Sequence, residues 1–429
     1  MKLVGTLILA AGAALAAPAD TAPTYNKDIA PILYKNCAGC HRPGEVAPFS
    51  LLTYQDAAKR AALIATVTKG RVMPPWKAEP GYGHFQDERR LTDDQIALIG
   101  AWAKSGTPEG DAASRPTPPT FTDGWQLGKP DRIVSIPAKF AVPADGPDQF
   151  RCFVIPLNLE QDVHIGAAEF RADNRRVAHH ALLFTDPTGQ GRKMAAGSAD
   201  GGYTCFGGPG IPAGLLGGWA PGQVPVKPMA GYAATLRKGT DLVLQVHYHP
   251  SGKPEQDQSS YGFFFTDPPT KGRALAIVGN NRIDITPGDK HYVVKASAVV
   301  PSDTALLRIT PHAHYLCKDM KVTAHLPDGT TVPLIWIKDW DFNWQGSYSY
   351  ATPVQLPKGT RVDMEYTYDN SEANPRNPAK PPVRVTYGEQ TTNEMALVFL
   401  SFSVPTPQDA VTFTRDMFRS QMETASQER

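Results

Sequence analysis

Eleven histidines are spread over 429 residues, and several stand in spacings that suit metal chemistry. VAHHALLF carries His179 and His180 side by side, VHYHP carries His247 and His249, and PHAHY carries His312 and His314. Chance gives an adjacent pair, or a pair two apart, only about 0.3 times each in a chain of this makeup. Residues i and i+2 of a strand share a face, so His312 and His314 form a natural two-point clamp on one ion. Adjacent strand residues point to opposite faces, so His179 and His180 reach one partner only if the backbone bulges there. A lone strand histidine is usually a hydrogen-bonded core or surface residue, and His164, His291 and His325 are read that way.

NCAGCH supplies Cys37, Cys40 and His41 in the C-x-x-C-H spacing of a covalent c-type haem site. The two thiols add to the vinyl groups and the adjacent His is placed as the proximal iron ligand. The five-residue pattern arises by chance only ~0.0015 times per chain. A thioredoxin-like pair or a zinc half-site is the alternative, but zinc needs a second ligand pair nearby and the segment offers only His84. For the other axial position GRVMPPW offers Met73, held before two prolines that stiffen the backbone; His84 competes with it.

The elements that must position these residues change texture along the chain. TYQDAAKRAALIATVTKG, ending at Gly70, and LTDDQIALIGAWAKSG, with a Thr92/Gln95 capping box, read as helices, so residues 24–107 read as helical. Residues 108–124 are a Pro-rich linker. Beyond Trp125, short apolar runs such as DLVLQVHYH, HYVVKASAVV, TALLRIT, RVDMEYTY and MALVFLSFSV alternate with Pro, Gly and Asp, the pattern of β-sandwiches. About 290 residues exceed one compact sandwich, which divides the region into 125–267 and 268–415, with 416–429 as a tail.

Residues 1–19 have the pattern of a secretory signal peptide, which predicts a periplasmic or secreted protein in an oxidising compartment. No integral membrane segment is expected after its cleavage. A net charge of +1 argues against a nucleic-acid or anionic-membrane partner.

Two resemblances sharpen this reading. The haem segment is similar to short mono-haem cytochrome c modules fused to bacterial enzymes. The stretch from about Cys152 to Met417 resembles the type II copper monooxygenases, the family of peptidylglycine α-hydroxylating and dopamine β-monooxygenases. RCFVIPL and VAHHALLF, then LVLQVHYHP, ITPHAHYLC and GEQTTNEMALVFL, fall in the family's order at similar spacing.

The implied fold is multidomain: an N-terminal all-α cytochrome c domain followed by two all-β, jelly-roll-like sandwich domains. The implied cofactors are two copper ions and one covalently attached haem c. His179, His180 and His247 hold the first copper; His312, His314 and Met395 hold the second. A thioether favours Cu(I), which suits copper better than zinc. The resemblance also pairs Cys152 with Cys205 and leaves Cys317 over, either as a buried free thiol or as an oxidisable neighbour of copper. The aromatic run Trp336, Trp340, Trp344, Tyr348 and Tyr350 is read as packing.

The implied activity is hydroxylation of a substrate C–H bond by O2 at the second copper, with the first supplying an electron across an open cleft. An external donor would feed the haem, and Gln245 is a possible step between haem and the first copper. The family's carboxylate-holding Arg, Asn and Tyr are replaced here by Thr310, Leu397 and Phe399. That disfavours a peptidylglycine and favours an apolar or uncharged small organic substrate. Three other readings stay open. One is a copper–haem electron carrier or copper-binding protein without oxygenase activity. Another is a nitrite-reductase-like enzyme, for which Cys317 lacks the usual downstream His and Met spacing. The last is a cytochrome joined to a carbohydrate- or protein-binding sandwich.

Overall fold

The alternation of polar and apolar residues in LVFLSFSV is realised as the strand Leu397–Val404, which buries Val398, Leu400, Phe402 and Val404 and leaves the intervening residues half-buried. The same logic repeats through the computed structural model, which describes residues 22–427 apart from 46, 122, 123, 221 and 222. The expected signal peptide, residues 1–19, lies outside the described residues.

The chain divides into two compact units. One takes residues up to Pro74 together with Arg89–Thr120. Its longest helix, Asp93–Lys104, starts on the Thr92/Gln95 capping box and buries Ile99 and Trp102. TYQDAAKRAALIATVTK is broken into Tyr54–Ala58 and Ala61–Lys69. Arg60 leaves helical geometry between them, and its guanidinium lies 4.4 Å over the Phe49 ring. The helix Ala30–Asn36 leads straight into Cys37.

The expected fold class is corrected. The chain is mostly β, 34% strand against 16% helix, and does not resolve into an all-α cytochrome c domain over 24–107 followed by two separate all-β domains. The N-terminal helices are short. Pro75–Glu88, from the middle of the expected helical domain, belongs instead to the β unit, where Phe85 bridges Tyr350 and packs into its core. The helix Ala61–Lys69 ends at Gly70 and Arg71 turns into the left-handed region, and beyond it Trp76 and Phe85 pack their rings against Tyr348 and Tyr350. Both β halves lie within this second unit.

In the first β half, a five-stranded sheet runs Gly202–Thr204, Gln149–Pro156, Asp241–Tyr248, Ala178–Asp186, Gly214–Trp219 in spatial order. It faces a four-stranded sheet built around Val163–Arg171 and Ser260–Phe265, and Phe153, Leu244, Ile165 and Phe263 share one core between them. Asp241–Tyr248 is buried along its whole length, which is what places His247 out of water.

In the second half, Gly272–Gly279, Leu397–Val404, Thr304–His312 and Tyr348–Leu356 form one sheet. Tyr292–Val299, Arg361–Tyr368, Cys317–His325 and Thr331–Ile337 form the other. The C-terminal helix Asp409–Gln427 adds Phe413 and Met417 to the core of this half. The halves touch at Tyr232, whose hydroxyl is 2.6 Å from Ser403 Oγ.

Cys152 and Cys205 are joined, with Cα atoms 5.9 Å apart. Beside this bridge, Arg151 grips Asp200 with Nε–Oδ2 at 2.9 Å and Nη2–Oδ1 at 2.6 Å. The hydrogen bonds from Arg151 hold the Asp200 carboxyl down to about 2. A depressed carboxylate stabilises above its unfolded value and loses that contribution as pH falls through its folded value. Asp200→Asn should therefore lower unfolding free energy by about 1–2 kcal/mol at pH 7. In urea titrations the difference should shrink from about pH 5 downward, be half gone near pH 3 and be mostly gone by pH 2.

Candidate metal centre

The strand Ala178–Asp186 pairs with Asp241–Tyr248, and its register slips at the histidine doublet: Ala178 faces Tyr248, yet His180 faces His247. His179 is the extra residue, so a bulge sits at the doublet and brings both imidazoles toward His247. Ring centroids are 5.8 Å apart for His179–His180, 5.1 Å for His179–His247 and 4.7 Å for His180–His247. One nitrogen from each ring lies within 4.8 Å of the others.

His180 Nδ1 and His247 Nδ1 face each other at 3.2 Å. Two imidazole nitrogens bound tetrahedrally to one first-row ion, each about 2.0–2.1 Å from it, stand about 3.3 Å apart. His179 Nε2 is buried with no hydrogen-bond partner among the described residues. Burial brings the His179 imidazole down to about 3 and His180 well below its usual value. Both are therefore neutral at physiological pH, the state that can bind a metal.

Asp148, which the sequence reading missed, organises this cluster. Its Oδ2 is 2.9 Å from His247 Nε2 and its Oδ1 is 2.6 Å from His249 Nδ1. Burial alone would raise the Asp148 carboxyl, but the contacts with His247 and His249 hold it well below the usual carboxylate range. The His247 contact is not aligned as a hydrogen bond, but the carboxylate charge at 2.9 Å favours the proton on Nε2 and leaves His247 Nδ1 with its lone pair free for an ion. His249 thus acts on the cluster through Asp148. Phe150 stacks on His247 at 4.2 Å and fixes the ring plane.

His312 ends the strand Thr304–His312, and His314 follows it, with ring centroids 5.4 Å apart. Both present Nδ1 to oxygen acceptors: His312 to Gln345 Oε1 at 2.6 Å and His314 to the Asn393 carbonyl at 3.0 Å. A donating Nδ1–H leaves Nε2 of each ring as the available ligand atom. Burial holds His314 down to about 3 and lowers His312.

Met395 is buried, two residues before Leu397, the cross-strand partner of His312. Glu394 ties these pieces together. Fully buried, it accepts from the backbone N–H groups of His314 at 2.8 Å, Leu316 at 2.6 Å and Met395 at 3.1 Å. Burial pushes its carboxyl up to about 8 against those bonds. The Tyr368 hydroxyl donates to the Met395 carbonyl at 2.6 Å.

Phe342 stands between the two histidine groups, with its ring 4.7 Å from His179 and 5.5 Å from His314. The two imidazoles are thus no more than about 10 Å apart, and a buried aromatic ring occupies the space between them. Gln245, considered as a relay, instead points its amide nitrogen at Cys205 Sγ, 3.3 Å away. Cys317 is buried and unbridged, and burial raises its thiol well above the usual range. Trp340, Tyr348 and Tyr350 are core residues.

In the helical unit, the backbone N–H groups of Cys40 and His41 bond the Cys37 carbonyl at 3.1 and 2.9 Å, a turn that continues the preceding helix. His41 Nδ1 is 3.2 Å from the Phe49 carbonyl, which leaves Nε2 as the ligand atom. Met73 belongs to this unit, whereas His84 is part of the β unit, its carbonyl bonded by the Ala351 N–H.

No protein-family profile and no curated protein matches the chain. Among solved structures, it is similar to the VP2 subviral particle of infectious bursal disease virus at 11% identity, over 68% of this chain and 75% of that one, with a TM-score of 0.18. It is also similar to PNGF-II at 10% identity, over 67% of this chain and 62% of that one, with a TM-score of 0.20. At such scores the likeness carries no argument about function.

If Asp148 sets the ligand tautomer of His247, Asp148→Asn should weaken copper binding at the three-histidine cluster by about 10–100-fold. Competition against a chromophoric chelator measures this, and unchanged affinity would remove Asp148 from the site.

Proposed function

We propose that this chain is a copper-dependent monooxygenase of the kind its histidine motifs resemble, inserting one oxygen atom of O2 into a C–H bond of a small organic substrate. The convergence of three imidazoles at a strand bulge is the observation that carries the reading. His179, His180 and His247 would hold one copper; His312, His314 and Met395 would hold a second; Cys37, Cys40, His41 and Met73 would hold haem c. When bound, these groups supply one-electron redox chemistry.

The protein's own contribution is to prepare ligands and exclude water. Asp148, Gln345 and the Asn393 carbonyl fix which nitrogen of each ring is presented. Glu394 holds the His314 and Met395 backbones in one cluster of hydrogen bonds. Phe342 keeps bulk water from the space between the groups. The reaction consumes two electrons and two protons, drawn from a donor external to the chain, and releases the second oxygen atom as water.

The Cys152–Cys205 bridge supports an oxidising setting, periplasmic or secreted. Among the described residues no helix is long and apolar enough to cross a membrane.

Protein matured with haem and copper should contain about two Cu per chain, falling to about one in His179→Ala. Reductant-dependent O2 uptake should be lost in His312→Ala. Equal uptake by His312→Ala and the parent would leave an electron carrier, and absence of copper would leave neither.

A further inference from the structure

The sheet face that carries His312 also carries a pair of arginines that form no ion pair among the described residues. From Arg308 onward the strand Thr304–His312 runs in register with Leu397–Val404: Arg308 faces Ser401, Thr310 faces Phe399 and His312 faces Leu397. Residues directly opposite in an antiparallel ladder project to the same side. Arg308, Thr310 and His312 therefore share the face turned away from the Val398, Leu400 and Phe402 core. Across the other edge of the same central strand, Arg273 faces Ser403 and joins that face. A bulge between Leu306 and Arg308 sets the phase; without it Arg308 would point into the core.

Several arginines of the β unit find carboxylates, among them Arg151 with Asp200, Arg376 with Asp339 and Arg384 with Asp284. Arg308 and Arg273 form no ion pair among the described residues. Arg308 Nε is 3.2 Å from Ser349 Oγ, and the flanking side chains at Ser401 and Ser403 are neutral hydroxyls. Arg273 is exposed and Arg308 half-buried, and burial together with the Arg273 charge brings Arg308 down to about 10. Two like charges on one face, one of them half-buried, disfavour each other, and an anion between them relieves that repulsion. Guanidinium forks also match a carboxylate bidentately.

The Cα of Arg308 lies about 13 Å along the strand from that of His312, four residues at about 3.3 Å each. Between them the face offers Thr310, Leu397 and Phe399, which is one small polar and two apolar surfaces.

We propose that Arg308 and Arg273 hold the carboxylate of an amphipathic organic acid whose apolar stretch lies over Leu397 and Phe399, toward His312 and His314. This replaces the uncharged substrate expected from the loss of charge at position 310: the cationic grip is present two residues further along the strand. Oxidation of that acid rests on the copper reading; its binding does not.

The test is calorimetric titration of the full-length, copper-free protein with 4-phenylbutanoate and, in parallel, 4-phenylbutanamide. The acid should bind at least tenfold more tightly than the amide. Arg308→Gln and Arg273→Gln should each remove most of that preference, Arg308→Lys should retain part of it, and Arg384→Gln, at an arginine already paired with Asp284, should leave it intact. Equal affinities, no measurable binding of the acid, or a preference that survives both glutamine substitutions overturns the proposal. Copper loading separates the two readings. A protein that prefers the acid but takes up no copper loses only the hydroxylase assignment, and one that loads two copper ions without preferring the acid loses only the arginine site.

Discussion

His179 can share an ion with His180 and His247 because the strand that carries the doublet holds one residue too many for its neighbour. The extra residue costs ladder hydrogen bonds, and a bulge on an edge strand would be free to relax. Here the doublet lies against Asp241–Tyr248, buried on both faces by Leu244 and Val246 on one side and Val243 and Gln245 on the other. That packing holds the bulge in place and keeps His247 dry, and burial of the doublet keeps His179 and His180 neutral. The remaining features of the centre, from the Asp148 carboxylate to the Phe150 stack, refine an arrangement that this register shift makes possible.

The two histidine groups are built by opposite local means toward one result. At the first, the chain bends and a carboxylate orients one ring. At the second, the strand simply ends: His312 is its last residue, and a buried carboxyl, Glu394, collects the backbone N–H groups on either side of the gap. Trp340 closes the same turn by donating to the His314 carbonyl at 3.0 Å. The strand-end design leaves His314 free of sheet pairing, so its ring orientation depends on Asn393 and Glu394 rather than on the pleat.

Much of the local structure was legible in the sequence. Strict alternation marks Leu397–Val404 and Arg361–Tyr368 because one face is core and the other is not. The Thr92/Gln95 box marks a helix start by its own hydrogen bonds. The histidine spacings implied the need for a bulge, since two adjacent imidazoles cannot otherwise face one partner. What escaped was set by tertiary contacts. Nothing local says that Trp76 and Phe85 leave the helices for the β core, and nothing in the sequence around Asp148 or Gln345 marks them as partners of histidines far along the chain. The substitution at Thr310 was read as a lost charge, because register across the Leu306/Arg308 bulge is invisible without the neighbouring strand.

The excursion of Pro75–Glu88 has a topological result. The backbone passes between the two units after Pro74, after Glu88 and again after Thr120, so they are joined by three covalent crossings rather than one tether. A protease nick in the Pro-rich segment past Thr107 severs only one of these. The haem-motif unit is therefore not a detachable cassette, and a truncation that begins at residue 121 removes the Trp76 and Phe85 side chains from the core of the β unit along with it.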